Sequence, residues 1–316
     1  MTYRQLGTSG LVVSTVGLGC NSFGATLPPD DVPRVVGEAI EAGITLFDTA
    51  DTYGPEPGVG EELLGGALRG RRDEVVVATK FGMDAGGLNG EDFGVRGSRR
   101  YIRRAVEGSL RRLGTDHIDL YQLHRPDPVT PLEETLGALD ELVREGKVLY
   151  LGCSQVSGWQ LVDADWTAQA AGLSRFISVQ NEYNLLSRGI EAEVVPAAAH
   201  VGAGILPYFP LASGLLTGKY RRDTAAPEGS RLANRPERLA AADFDRIEAL
   251  EQVAEQAGVS LLTLSLGGLA AQPGVDSVIA GARTPEQVRA NVAAGLWEPD
   301  AQTLLAIDDA APAQEA

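Results

Sequence analysis

The sequence predicts a single (β/α)8 TIM barrel with a short N-terminal β-hairpin. Three observations lead there: strand-like runs alternate with helical patterns to the end of the chain, the runs number eight, and most are apolar throughout. A run apolar on both faces belongs to a parallel sheet covered by helical crossovers. Eight β/α units favour a closed barrel over an open sheet. At 316 residues the chain exceeds an average domain, but such barrels take about 250 residues plus insertions. No Pro/Ser-rich linker, composition shift or further repeat divides it. Residues 1–316 therefore read as one domain, with 1–14 a capping hairpin and 308–316 a disordered tail.

The hairpin spans 3–13 and turns at Gly7-Thr8-Ser9-Gly10. Strands are expected at 16–19, 44–48, 75–80, 118–124, 148–154, 177–182, 204–208 and 277–280. Helices are expected between them at 32–42, 60–68, 98–113, 132–145, 158–171, 191–200, 243–258 with 261–271, and 285–294. Two long irregular connections remain, 82–97 and 211–236, and loops of that length in a compact domain are usually functional or mobile.

Composition narrows the function. With 44% apolar and 22% charged residues the chain can build a full core. A formal charge of -16 disfavours nucleic acid and anionic membranes as partners. The N-terminus holds no apolar run suited to a signal sequence or a membrane span, so a cytoplasmic protein is expected. Cys20 and Cys153 end separate strand patterns and suggest no disulfide framework. His117, His124 and His200 have no metal-ligand spacing, so no metal is expected.

In such a barrel the site lies at the C-terminal ends of the strands. The second run ends at Asp48, the third at Lys80 and the fourth at His124, while Tyr53 follows Asp48 by one short loop. Taken singly, each has an ordinary explanation as a turn residue, strand terminus, rim histidine or core tyrosine. Together they suggest chemistry. A nearby ammonium lowers a phenol's pKa, so Lys80 could tune Tyr53 as a proton donor. Asp48 would pair with Lys80, and His124 could hydrogen-bond a substrate oxygen. That arrangement suits protonation of a carbonyl oxygen while something else attacks the carbon.

No G-x-S-x-G elbow supplies a nucleophile. Gly17-Leu18-Gly19-Cys20-Asn21 lacks the third glycine of a Rossmann fingerprint. A barrel can instead hold phosphate near its last strands and at a helix N-terminus. Val278-Ile279-Ala280-Gly281-Ala282-Arg283-Thr284-Pro285-Glu286-Gln287 fits, with Thr284 as N-cap, Pro285 at the first helical position and Arg283 as a bidentate phosphate donor.

Motifs along nearly the whole chain now line up: Gly17-Leu18-Gly19, Phe47-Asp48-Thr49-Ala50-Asp51-Thr52-Tyr53-Gly54, Ala78-Thr79-Lys80, and Asp119-Leu120-Tyr121-Gln122-Leu123-His124-Arg125-Pro126-Asp127. Val179-Gln180-Asn181-Glu182-Tyr183-Asn184, the run from Pro210 through Ser213-Gly214-Leu215-Leu216-Thr217-Gly218-Lys219-Tyr220, and 281–291 continue them. In this the chain resembles the aldo-keto reductases of the bacterial type related to potassium-channel β-subunits. The resemblance implies a catalytic tetrad of Asp48, Tyr53, Lys80 and His124, with Tyr53 the general acid. It implies NADPH (NADP+) as cofactor and a small carbonyl compound as substrate. Ser154 and Gln180 would bind the carboxamide and Tyr208 would stack on the nicotinamide. Pro210, Leu211, Gly214 and Lys219 would follow the pyrophosphate, Arg283 and Thr284 the 2′-phosphate, and Gln287 and Asn291 the adenine. Gly19, Cys20, Asn21 and Gly281 complete the set. One departure is visible: where the family usually shows Gly-x-Ser-Asn, this chain has Gly152-Cys153-Ser154-Gln155, which puts Gln155 in the amide's position.

The leading expectation is NADPH-dependent reduction of aldehydes or ketones. A cofactor-sensing interaction subunit is the alternative the resemblance allows. A Schiff-base enzyme using Lys80, or a glycosidase pairing Asp48 with Glu182, are the alternatives without a nicotinamide. Phe23, Phe81 and Trp297 are candidates for pocket walls or for ordinary packing.

Overall fold

The structure, a computed structural model, describes residues 1–313. An antiparallel hairpin of β1 (Tyr3–Gln5) and β2 (Val12–Ser14) precedes the parallel strands. These are β3 (Val16–Gly19), β4 (Leu46–Asp48), β5 (Val76–Phe81), β6 (Ile118–Leu123), β7 (Val148–Ser154), β8 (Phe176–Gln180), β9 (Gly204–Ile205) and β10 (Val278–Gly281). Helices α1 (Val32–Glu41), α2 (Val59–Ala67), α3 (Arg99–Leu113), α4 (Leu132–Arg144), α5 (Gly158–Ala171) and α6 (Val194–Val201) link β3 through β9 in turn. Between β9 and β10 come α7 (Pro236–Ala240), α8 (Phe244–Gln256) and α9 (Leu261–Ala270), and α10 (Pro285–Gly295) and α11 (Ala301–Ala310) follow.

Strands β3 to β9 pair in chain order, with β10 on the free side of β3. The ends of this sheet then meet. Ile205 bridges Val275, its N–H donates to Gly274 O at 2.8 Å, and the Ile279 N–H donates to Pro207 O at 3.1 Å. The predicted (β/α)8 barrel is thus the observed fold.

Because strand residues two apart share a face, the barrel interior is layered. Leu46, Ala78, Leu120, Leu206 and Ile279 form an apolar layer, and the hairpin's Leu6 and Val13 close it from the N-terminal end. Two residues further along β4, β5 and β6 stand Asp48, Lys80 and Gln122, and β8 ends in Gln180. The polar layer therefore sits directly on a dry floor. Outside, a continuous apolar core joins the strands to the helices, in which Phe23 and Phe81 are completely buried. Those two are core, and Trp297 packs against Gly267 of α9.

The helices begin and end where their caps dictate. Ser98 accepts from the Tyr101 N–H to start α3, and Ser157 with Gln160 forms a capping box on α5. Gly114 and Gly172 end the same helices in the left-handed conformation.

Three expectations change. The strand expected at 204–208 shortens to Gly204–Ile205 because Pro207 has no N–H for the ladder. The connection 211–236 carries a 3-10 segment at Ala212–Thr217, and its Tyr220 and Leu232 form a small core with Leu239 of α7. The tail expected to be disordered from Asp308 is instead held against the barrel at its start, where α11 runs on to Ala310. Arg188 pairs with Asp308 at 2.7 Å and donates to Ala311 O at 2.9 Å, and Ala311 is buried. Residues 314–316 of that expectation lie outside the described residues.

Close helix packing yields a paired prediction on α2. A Cβ at Gly65 would lie 2.3 Å from Leu113 O, whereas one at Gly66 meets nothing within 4 Å. Gly65→Ala should destabilise the protein by about 1–3 kcal/mol in denaturant unfolding. Gly66→Ala should stabilise it by roughly 0.5–1 kcal/mol.

Candidate active site

The tetrad expected from sequence meets at one barrel mouth. The Asp48 side chain ends β4, and the loop after it continues the ladder: the Thr49 N–H donates to Ala78 O at 2.8 Å and the Asp51 N–H to Lys80 O at 3.2 Å. The chain then turns so that Tyr53 faces back over β5. Its seat depends on Gly60, where a Cβ would lie 3.0 Å from the Tyr53 Cβ.

Lys80 organises this corner. Its ammonium donates to Asp48 Oδ2 at 2.6 Å, to Thr49 O at 2.9 Å and to the Tyr53 hydroxyl at 3.2 Å. Lys80 is 0% exposed and Asp48 3%. Burial alone would lower the lysine's pKa, but the Asp48 charge and the bonds to Asp48 and Tyr53 outweigh it and leave the pKa raised. Lys80 is therefore a firmly protonated cation, which disfavours a Schiff-base role.

Asp48 has further donors: Gln122 Nε2 at 3.1 Å and Gln180 Nε2 at 2.9 Å, both to Oδ1. Gln122 was not among the residues expected at the site. Its only signal is a polar side chain within the apolar run Leu120-Tyr121-Gln122-Leu123, two residues above Leu120. Gln180, which the resemblance assigns to a carboxamide, here holds Asp48 and donates to Gln122 Oε1 at 3.2 Å.

Tyr53 departs from expectation in one respect. Burial raises its pKa and is the largest influence, with Lys80 the principal opposing one, so the net direction is upward. The phenol is protonated at neutral pH. His124 stands beside it, its ring edge-on to Tyr53 with centroids 6.0 Å apart. Burial, then the charges of Lys80 and Arg125, drive His124 down from 6.5 to about 2. It is a neutral imidazole, and its buried Nδ1 has no partner among the described residues.

The residues expected to contact a cofactor follow the mouth around β7–β10. Ser154 Oγ donates to Gln180 O at 2.7 Å. Gln155 adopts a positive φ of 55°, and its amide joins His124 O at 3.2 Å to Arg125 Nε at 3.1 Å. Gln155 thereby braces the histidine's loop. Tyr208 is half-buried, edge-on to Phe209. Pro210 and Leu211 lead into the Ala212–Thr217 segment, where Gly214 has a φ of 96° and a Cβ would lie 3.3 Å from Lys219 Nζ.

At β3 and β10, Gly19 pairs with Gly281, and a Cβ at Gly281 would find nothing closer than 3.8 Å. Asn21 lies beside them, 4.0 Å from that point, and Cys20 beneath is buried. Thr284 caps α10 by accepting from the Gln287 N–H, Gln287 Oε1 accepts from the Arg283 N–H at 2.8 Å, and Asn291 Nδ2 donates to Gly281 O at 3.2 Å. The Arg283 guanidinium reaches across to Gly229 O at 3.3 Å. There the fold adds cations that sequence reading passed over. Partial burial and the charges of Arg235, Arg238 and Arg283 lower the pKa of Arg231, whose guanidinium lies 5.0 Å above the Phe209 ring. The density of arginine in 231–238 was the available signal.

With this geometry in hand, the comparisons with known proteins are decisive. The model of the aldo/keto reductase family matches residues 15–311. The chain belongs to that family. It is 37% identical to "Uncharacterized oxidoreductase YrpG" of Bacillus subtilis (strain 168), over 99% of this chain and 96% of the relative. It is likewise 37% identical to a "Probable voltage-gated potassium channel subunit beta" of Oryza sativa subsp. japonica, over 93% and 91%. Similarity to "L-glyceraldehyde 3-phosphate reductase" of Escherichia coli (strain K12) is 34%, over 93% and 87%. Family membership places the chain among oxidoreductases that act on small molecules. Among the described residues, no single helix is long and apolar enough to cross a membrane.

Asp48→Ala would leave the buried ammonium of Lys80 unpaired and should destabilise the protein by about 3–5 kcal/mol in equilibrium unfolding. A pH effect follows from His124. An unfolded histidine takes up a proton near its ordinary 6.5 while the folded one resists until about 2, so stability is lost as pH falls through that window and is flat above it. Thermal melts between pH 6.5 and about 4 should show wild type losing stability faster than His124→Gln.

Proposed function

We propose that the protein is a cytoplasmic NADPH-dependent reductase that converts aldehyde or ketone carbonyls to alcohols. One observation carries the reading: a protonated lysine, fixed by a buried carboxylate, touches a protonated tyrosine hydroxyl beside a neutral histidine.

The residues present suit a phosphorylated dinucleotide. Arg283 at the capped start of α10, with Arg231 beside it and Lys219 across the 211–236 connection, would hold phosphate groups through charge-assisted bonds. Tyr208 would lie against the nicotinamide, with Ser154, Gln155 and Gln180 as the polar side chains nearest to its carboxamide. When bound, NADPH supplies a hydride to the carbonyl carbon.

The remaining work falls to the tetrad. Tyr53 gives its phenolic proton to the carbonyl oxygen as negative charge develops there. Lys80 stabilises the phenolate left behind, and Asp48 keeps that ammonium in place. His124, neutral throughout the physiological range, orients the carbonyl by a hydrogen bond without competing as an acid. The dry floor formed by Leu46, Ala78 and Leu120 strengthens each of these interactions.

A carbonyl panel run with NADPH and NADH tests this. Tyr53→Phe should lower kcat by roughly 10³-fold while NADPH binding survives. Arg283→Ala should weaken NADPH binding by about tenfold or more and leave NADH nearly unchanged. Tight NADPH binding without turnover of any carbonyl would instead favour an NADPH-sensing interaction subunit; two relatives carry the name of a probable voltage-gated potassium channel subunit beta.

A further inference from the structure

Asp51 sits between Asp48 and Tyr53 yet takes no part in the tetrad. It is completely buried, and its Oδ2 accepts from Asn89 Nδ2 at 2.9 Å. Asn89 Nδ2 also reaches the Tyr101 hydroxyl at 3.2 Å. The other oxygen of each partner, Asp51 Oδ1 and Asn89 Oδ1, is buried with no hydrogen-bond partner among the described residues, as is the Tyr121 hydroxyl.

The nearby cations are already committed. Lys80 serves Asp48, Thr49 O and Tyr53. Arg112 of α3 pairs with Glu61 of α2 at 2.6 Å, and the second Glu61 oxygen accepts from the Thr79 hydroxyl at 2.6 Å. A carboxylate at Asp51 would therefore face a second buried carboxylate, Glu61, with no counter-ion of its own. Burial and then Glu61 push Asp51 up to about 7, against the Asn89 hydrogen bond and the charges of Arg112 and Lys80. Tyr101 and Tyr121, the other ionisable groups facing it, both have raised pKa values through burial and stay neutral.

Two buried acceptors without a donor, one on each member of a carboxyl–amide pair already joined through its other atoms, form a set that a single proton can complete. A neutral acid and a primary amide form a reciprocal pair: O–H to the amide oxygen, N–H to the acid oxygen. We infer that Asp51 is a positioning residue whose neutral form clasps Asn89 in such a pair, fixing the 82–97 segment against the loop that carries Tyr53.

That segment needs an anchor. It contains five glycines of positive φ, and Asn89 is its one buried polar side chain. It also borders the mouth. A Cβ at Gly82 would lie 3.9 Å from the His124 N, and the Gly97 N–H donates to Asp127 Oδ2 at 2.6 Å. Loss of the proton replaces an O–H···O bond by two opposed acceptors and loosens the segment. Substrate binding then weakens as pH rises through the Asp51 transition, while the chemical step is unaffected. This last consequence rests on the reductase reading; the clasp does not.

Hydrogen exchange of the 82–97 amides, in full-length wild type, Asp51→Asn and Asn89→Ala, tests the clasp between pH of about 6 and about 8.5, after correction for intrinsic rates. Wild-type protection should fall about fivefold across that range, the effect of roughly one hydrogen bond. Asp51→Asn, whose side-chain N–H replaces the acid proton, should stay protected at both ends, and Asn89→Ala should be open at both. In the same proteins KM should follow exchange by about fivefold while kcat changes less than about twofold. Wild-type protection that does not vary with pH, or an Asn89→Ala segment as protected as wild type, would overturn the inference. Should Asn89→Ala fail to fold, the comparison of Asp51→Asn with wild type decides it. A pH-dependent exchange in a protein that turns over no carbonyl leaves the clasp standing and removes the reductase reading; turnover with flat exchange does the reverse.

Discussion

The buried ion pair between Lys80 and Asp48 is the constraint around which the mouth is built. An ammonium at 0% exposure is tolerable only with a carboxylate on it. The carboxylate in turn needs its remaining lone pairs met, and Gln122 and Gln180 meet them. Four strands are tied to one another through this cluster: β4, β5, β6 and β8. Tyr53 is then held where the ammonium can reach its hydroxyl, and His124 is kept neutral by its burial and, after that, by the fixed positive charge beside it.

The hairpin seals the opposite end of the barrel beneath that cluster. Leu6 and Val13 complete the apolar layer beneath the ion pair, so the pair faces protein below and is accessible only from the mouth. Low polarizability of that floor makes each charge act strongly on its neighbours. The same surroundings explain why burial prevails over Lys80 in setting the Tyr53 pKa, where a cation in more polar surroundings would be expected to lower it. In the proposed role, the phenol is held in the protonated form that an acid needs.

Much of this was legible in the chain. Apolar runs ending in Asp48, Lys80 and His124 marked three strand ends and the side chains that gather at the mouth. Thr284 and Pro285 marked the start of α10, and Arg283 stood next to it. The less legible parts have local causes. Pro207 cut β9 short, the weakly apolar residues 301–311 concealed α11, and its ordering depends on Arg188 from a distant segment. Gln122 was hidden because one amide in a strand has no pattern to betray it. Gln155 was placed by family correspondence, yet its side chain bridges His124 and Arg125, since its positive φ turns it toward the neighbouring loop.

By itself the sequence determined the alternation of strands and helices, the eightfold count and the identity of the ionisable groups at the strand ends, because period and residue type are properties of the chain alone. Only the tertiary structure decided which carboxylate belongs to which cation. Asp48 and Asp51 are three residues apart and alike in sequence. Strand period turns Asp48 inward to Lys80, whereas the loop turns Asp51 to Asn89, where Arg112 is already taken by Glu61. Charge state depends on burial and on partners brought from elsewhere in the chain, and those are fixed only when the barrel closes.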